Sequence, residues 1–266
     1  FIDNKLGKIL SKTIFSLLVI IFLGLAIRVY FTPWDLPTNS SDAFGFMIEG
    51  LAYSNIDFSN FNYRFLWPVF LSLFFGIFRF DDYFSYMTLV RILSITISLA
   101  TIPIVYLVSR EFVKEKYALI AAVLFTIESN LVENSIFGQT EPLFILLGLS
   151  SFYFILQKNH RYQLLAFVFA GLAFDTRLNG IVLFLLLIFA LLLKIKHKEK
   201  STKNLILGII LFSLISIPAH IVYPVLQGEE IFPFLITITD AISEGHTYSA
   251  TYESSSNISS NEIIFN

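Results

Sequence analysis

Cysteine is absent from the 266 residues, which excludes disulfides and thiolate metal sites. Charge is scarce: Asp, Glu, Lys and Arg make up 14% of the chain, against about 25% in soluble domains, so a soluble domain is excluded as well. The four histidines (His160, His197, His220 and His246) are scattered and show no ligand spacing such as HxxxH. A net charge of −2 carries no nucleic-acid signal. What is abundant is apolar. Hydrophobic residues make up 56%, 30 of them are Phe, and the mean hydropathy is +0.74. Most of such a surface has lipid as its solvent.

A hydrocarbon core about 30 Å thick needs roughly 20 apolar residues as helix. Hydropathy places candidate spans at about 13–30, 83–109, 117–131, 142–157, 162–174, 180–193 and 205–222. The first follows Lys5, Lys8 and Lys12, and it lacks a small-x-small cleavage site, so it reads as an uncleaved signal anchor. A further apolar run, 65–80, starts its helix at Pro68 and is too short to cross comfortably. Charge bias decides its side. With that run outside, 13 of the 18 basic residues fall on inner segments and 16 of the 20 acids fall outside or near the outer face. Basic loops "KNHR" and "KIKHKEKSTK" flank 162–193, so two short helices turn at the outer side through "DTRLNG". The expected fold is therefore all-α: a polytopic transmembrane helical bundle over 1–222, N-terminus cytoplasmic. A long first outer loop (31–82) carries surface helices, and a polar outer segment follows over 223–266. The chain begins at Phe1 and stops at "NEIIFN", and we expect a longer protein around it.

The segment "NSSDAFGFMIEG" reads as one of those surface helices. Phe44, Met47, Ile48 and Leu51 recur at i, i+3, i+4 and i+7, a predicted apolar face. Asp42 and Glu49 fall nearly opposite it. The remaining outer-face acids are Asp81 and Asp82, Glu128, Glu133 and Glu141, and Asp175. The outer-face arginines are Arg28, Arg64, Arg79, Arg91 and Arg177. Arg91 stands about 12 Å into its helix, where a guanidinium needs a partner, a route to the interface or a polar cavity. Arginines with carboxylates at one membrane face suit an anionic group plus a general base, the requirement of a lipid-linked phosphosugar. Each residue also has a plain structural reading: Asp42 as a first-turn acid, Glu141 as a helix start before Pro142, Arg177 reaching for headgroups, and Asp81 and Asp82 as caps.

In this order the pieces resemble the GT-C glycosyltransferases, and within them the protein O-mannosyltransferase and lipid A arabinosyltransferase-like group. "SSDAFGFMIEGLAY" matches the family's first outer loop with its acidic residue, and "YRFLWPVFLSLFFGIFRFDDYFSYMTLVRIL" its short helix and Arg-led span. "GQTEPLFILLGLSSFYFI" matches an outer-face Glu that opens a helix, and "FDTRLNGIVLF" a loop with Arg177 and Gly180. Leu178 replaces the usual proline, and Asp42 lacks the adjacent acid many relatives carry.

The resemblance implies inverting transfer of a mannose-like hexose from a polyprenyl-phosphate donor to a protein, lipid or glycan acceptor. The site would be extracytoplasmic, in a multi-pass protein of the cell membrane. It implies Asp42 as the catalytic base and Glu141, Arg177, Arg91, Arg64 and Glu49 as substrate-binding. No cofactor is assigned, and a divalent cation near Asp42 and Glu141 stays open. Two other readings stay open: a transporter or flippase of a lipid-linked or anionic solute, and a non-catalytic subunit with the same fold. Sidedness is directly testable. In this cysteine-free chain, a single cysteine at position 42 or 177 is expected to react with an impermeant maleimide added from outside. Reaction only from the cytosolic side would overturn the topology.

Overall fold

The computed structural model describes residues 2–37, 41–57, 66–195, 201–218 and 220. Residues 1–219 form one compact unit and 220–266 a second, and every helix described here belongs to the first. The described residues are all helical apart from turns and loops. The helices are α1 (Ile2–Phe31), α2 (Ser41–Ser54), α3 (Leu66–Ile77), α4 (Tyr83–Arg110), α5 (Glu115–Ile127), α6 (Ser129–Ile136), α7 (Glu141–Leu156), α8 (His160–Thr176), α9 (Gly180–Ile195) and α10 (Ser201–Ile217). Lys12–Phe31 and Tyr83–Arg110 are long and apolar enough to cross a membrane, and α5 with α6 make a third if that pair, bent by 52°, counts as one span. Stretches 66–77, 141–156, 180–193 and 202–217 are shorter apolar helices. The fold is that of a helical membrane protein.

Local chemistry sets the ends of the helices. Asp82 caps α4, accepting from the Ser85 amide (2.8 Å) and the Ser85 hydroxyl (2.7 Å). Those bonds from Ser85 hold the Asp82 carboxyl below its ordinary range. Glu128 caps α6 by accepting from the Leu131 amide at 2.7 Å. This is where the apolar run 117–131 breaks, a bend that hydropathy alone does not show. Asn159 caps α8 through the Arg161 amide (3.0 Å). Pro142 occupies the first turn of α7, where its missing N–H leaves no bond unmade.

One end of the bundle is tied by Thr13 of α1 donating to Glu115 of α5. At the same end Gln157 donates to Glu111 (3.3 Å), and Asn204 donates to Gln163 (3.2 Å) and meets His160 Nδ1 at 2.8 Å. Lys12, Arg110, Lys114, Lys116, Lys158, Arg161 and Lys203 all belong to this end. The opposite end holds the start of α4, the α5–α6 bend, the start of α7 and the α8–α9 turn. It carries Asp82, Glu128, Glu133, Glu141 and Asp175.

At that acidic end, fully buried Arg28 of α1 joins four helices. Its Nε donates to Ser135 Oγ (3.1 Å) and its Nη2 to Ser98 Oγ (2.8 Å). Its Nη1 donates to the carbonyls of Gly24 (3.2 Å) and Thr126 (3.3 Å). Thr126 lies in the last turn of α5, where carbonyls lack intrahelical donors and carry the negative end of the helix dipole. Arg28 therefore caps α5 where it bends. Gly24, one turn earlier, permits the approach: a Cβ there would lie 2.9 Å from Thr126 Cγ2 and 3.1 Å from Leu99 Cδ2.

A second core joins α2, α3, α4, α7 and α8 through Phe46, Met47, Trp67, Leu71, Phe75, Val90, Leu143 and Ala173. The expected face of α2 holds in part. Met47 is buried and Leu51 packs against this core, whereas Phe44 and Ile48 are exposed and the buried stripe is completed by Ala43, Phe46, Gly50 and Tyr53. The helix is turned because Gly50 lets it press on α3: a Cβ there would stand 3.0 Å from Phe75 and 3.2 Å from the Pro68 carbonyl. Replacing Arg28 with Met is expected to lower stability by roughly 2 kcal/mol, because four buried bonds of membrane-interior strength are lost. Arg28→Lys should recover less than half. Thermal unfolding in detergent measures this, and a midpoint unchanged in R28M would refute the clamp.

Candidate functional site

The candidate site is built on the α7–α8 pair, antiparallel neighbours whose opposite ends lie side by side. Glu141 opens α7, and Arg177 is the residue that ends α8. A helix N-terminus favours an anion and a C-terminus a cation, so the two positions suit their charges before the side chains meet. They do meet: Arg177 Nη1 donates to Glu141 Oε1 in a salt bridge between side chains that are 31% and 24% exposed. The pair is accessible but not freely solvated.

The turn that carries Arg177 is tight. The Arg177 amide closes α8 on the Ala173 carbonyl (2.9 Å), and the Gly180 amide then returns to the Arg177 carbonyl (2.8 Å). A Cβ at Gly180 would fall 2.4 Å from the Phe174 nitrogen and 2.5 Å from its Cα. Backbone occupies that space, so only glycine lets α9 start there. Leu178 packs against the hydrophobic core that holds Phe174 and Phe212.

Gly138 sets the other approach. It adopts φ +75 at the end of α6, a conformation that side chains resist. A Cβ there would come 2.7 Å from Val90 Cγ1 and 3.7 Å from the Arg91 nitrogen. The α6–α7 turn therefore rests on α4 beside Arg91, within about 11 Å of chain from Glu141.

Arg91, buried to 1% exposure, donates from Nη1 to the Pro33 carbonyl (2.9 Å) and from Nη2 to the Leu36 carbonyl (2.8 Å). It also lines a small cleft, with room for little more than a water molecule, together with Ala43, Met47, Met87, Val90 and Phe137. Asp42, next to Ala43, is exposed in the first turn of α2.

Of the residues singled out in the sequence, the structure joins Glu141 to Arg177 directly. It brings Arg91 and the neighbour of Asp42 to one cleft. Glu49 is half-buried on α2, and Arg64 lies outside the described residues. Asp175, counted in the sequence only as an outer-face acid, is buried on the last turn of α8. Gly138 and Arg28 were given no role there; a glycine two residues past an amphipathic turn was the one available signal. Among the described residues no three His, Asp or Glu side chains gather as a metal site. The chemistry on offer is an arginine held at the mouth of a helical bundle, a carboxylate that orients it and a second, exposed carboxylate on an adjoining helix.

Residues 65–223 match the family of dolichyl-phosphate-mannose-protein mannosyltransferases. The match covers more than half of the chain. The chain belongs to this family. Membership makes it a membrane glycosyltransferase of mannosyltransferase type. The matched region of the mannosyltransferase holds Arg91, Glu141, Asp175 and Arg177, and Asp42 precedes it. No curated protein and no solved structure matches the chain.

The ion pair should be measurable apart from activity. A double-mutant cycle with Glu141→Gln and Arg177→Gln is expected to give a coupling of about 1 kcal/mol in thermal unfolding, the range for a half-exposed pair. A coupling indistinguishable from zero would mean the two side chains do not hold each other.

Proposed function

We propose that this mannosyltransferase-family protein transfers a mannose-like hexose from a polyprenyl-phosphate donor to an acceptor hydroxyl at the extracytoplasmic face, with inversion. A protein is the acceptor the family description names. The observation that carries the reading is the Glu141–Arg177 pair at the acidic end of the bundle. The concentration of basic residues at the other end supports its placement outside, because basic segments stay cytoplasmic.

In this reading Asp42 accepts the proton of the acceptor hydroxyl as that oxygen attacks the anomeric carbon from the face opposite the phosphate. The bond from the anomeric carbon to the phosphate oxygen breaks, and the lipid phosphate leaves with one more negative charge. Arg177 stabilises that charge, which is largest in the transition state and after it. Glu141 keeps the guanidinium in place before the donor arrives and orients the sugar or acceptor afterwards. The exposure of Asp42 suits a base that meets an acceptor coming from solvent. The donor's isoprenoid tail, being as apolar as the lipid it comes from, lies against the exposed apolar helix faces.

Two substitutions test this in membranes supplied with polyprenyl-phosphate-linked mannose. Asp42→Asn is expected to lower turnover by about 100-fold or more with normal protein level, the usual contribution of a positioned base. Arg177→Ala is expected to raise the donor KM by about tenfold, the value of a charge-assisted bond, and to lower kcat as well, because the charge it meets is largest in the transition state. Undiminished turnover in D42N removes Asp42 from the mechanism, and a donor KM and a kcat both unchanged in R177A remove the phosphate role of Arg177.

A further inference from the structure

Arg91 is the second fully buried arginine at the acidic end, and what it binds is backbone. Pro33 to Leu36 form a turn closed by the Leu36 amide donating to the Pro33 carbonyl (3.3 Å). The two carbonyls that accept from Arg91 are those of the turn's first and last residues. One planar fork thus spans the whole turn, a geometry that guanidinium matches and an ammonium does not. A second anchor comes from α1, where the Trp34 indole donates to the Val29 carbonyl at 3.0 Å. The turn is thereby pinned to α1 through Trp34 and to α4 through Arg91.

Leu36 stands six residues before Asp42 in the chain. On the far side of that connection, the first turn of α2 returns to the same arginine: Ala43 and Met47 line the cleft with Arg91. Arg91 therefore meets both the segment leading into α2 and the buried face of α2 itself. Each terminal nitrogen commits one N–H to a carbonyl, and Nε has no partner among the described residues. At 1% exposure the remaining N–H groups are buried with the side chain, so a phosphate reaches this guanidinium only by displacing the turn it holds.

The geometry points to Arg91 as a positioning residue: it registers the turn 33–36 and the start of α2, and so sets where Asp42 stands, instead of binding the donor phosphate. This rests on the proposed role of Asp42 for its catalytic meaning. The structural part is testable without any sugar transfer.

The absence of native cysteine permits nitroxide labels at single introduced cysteines, Asp35→Cys on the turn and Phe44→Cys on α2, both exposed positions. Phe112→Cys, exposed at the opposite end, serves as control. In the full chain in nanodiscs, Arg91→Gln is expected to shorten the rotational correlation time at 35 and 44 by on the order of twofold and to leave 112 unchanged. Arg91→Lys, able to reach one carbonyl at a time, should lie between, and it decides the matter if R91Q does not accumulate. In the transfer assay, R91Q should lower kcat by roughly 10- to 100-fold with the donor KM unchanged, the signature of a displaced catalytic group. Unaltered labels at 35 and 44, an equal loosening at 112, or a raised donor KM with kcat intact would each overturn the assignment. Absence of transfer in the unmodified protein would sink the functional proposal and leave the label experiment standing.

Discussion

A guanidinium removed from water into the interior of an apolar helix bundle must find acceptors for its N–H groups, and the acidic end of this protein is organised by how three arginines do so. Arg28 finds the carbonyls and hydroxyls at the bend between α5 and α6. Arg91 finds the two ends of a turn. Arg177 finds Glu141. In a low-dielectric medium each leaves few alternatives, because an unmet donor there is costlier than in water. The first two use neutral oxygens, serine hydroxyls and backbone carbonyls, and the carbonyls of Thr126, Pro33 and Leu36 lie at helix or turn ends where the partial negative charge is unspent. That choice fixes the backbone and leaves no carboxylate consumed. The charged partner is reserved for the arginine at the surface.

Close approach does the complementary work. Gly24 lets α1 near α5, Gly50 lets α2 near α3, Gly138 seats the α6–α7 turn on α4, and Gly180 lets α9 begin against the end of α8. Between helices in lipid the hydrophobic effect supplies little drive, so small residues and short polar contacts decide the packing. Gly171 and Gly208 do the same between α8 and α10, and the four named above act at or near the acidic end. The result is a rigid rim of helix termini, and helix termini are where dipoles and unpaired backbone groups can act on a charged ligand.

Much of this was readable from the chain alone, and the reason is energetic. The helical class and the gathering of acids at one end follow from the high cost of placing charge in hydrocarbon, which sequence displays openly. The orientation of α2 was not readable. Phe44, Met47, Ile48 and Leu51 are as periodic as Ala43, Phe46, Met47, Gly50 and Tyr53, and in a membrane protein apolar side chains have two places to go. Gly50 decides between them by contact with Pro68 and Phe75, which no local pattern reveals. The break at Glu128 was hidden for a similar reason: 117–131 is mostly apolar, and the capping bond to Leu131 is a local choice that Arg28 supports from nearly one hundred residues away. The pairing of Glu141 with Arg177, 36 residues apart, became visible only once α7 and α8 lay antiparallel.

The division of labour among the arginines bears on how the site would work. An arginine whose fork is filled by backbone carbonyls cannot exchange them for a ligand without releasing the segment it holds. One paired with a half-exposed carboxylate can exchange, since the carboxylate regains water as the new anion arrives and the net cost is small. Arg177 is the arginine in the second position. A phosphate that displaces Glu141 from it would leave that carboxylate beside the bound sugar, free to accept hydrogen bonds from hydroxyl groups at the moment they come within reach. On the proposed mechanism the same ion pair would serve two states. With no donor it would keep the cation from binding stray anions, and with donor bound it would deliver a carboxylate to the sugar. Binding energy from the phosphate would thereby be converted into orientation of the reacting group.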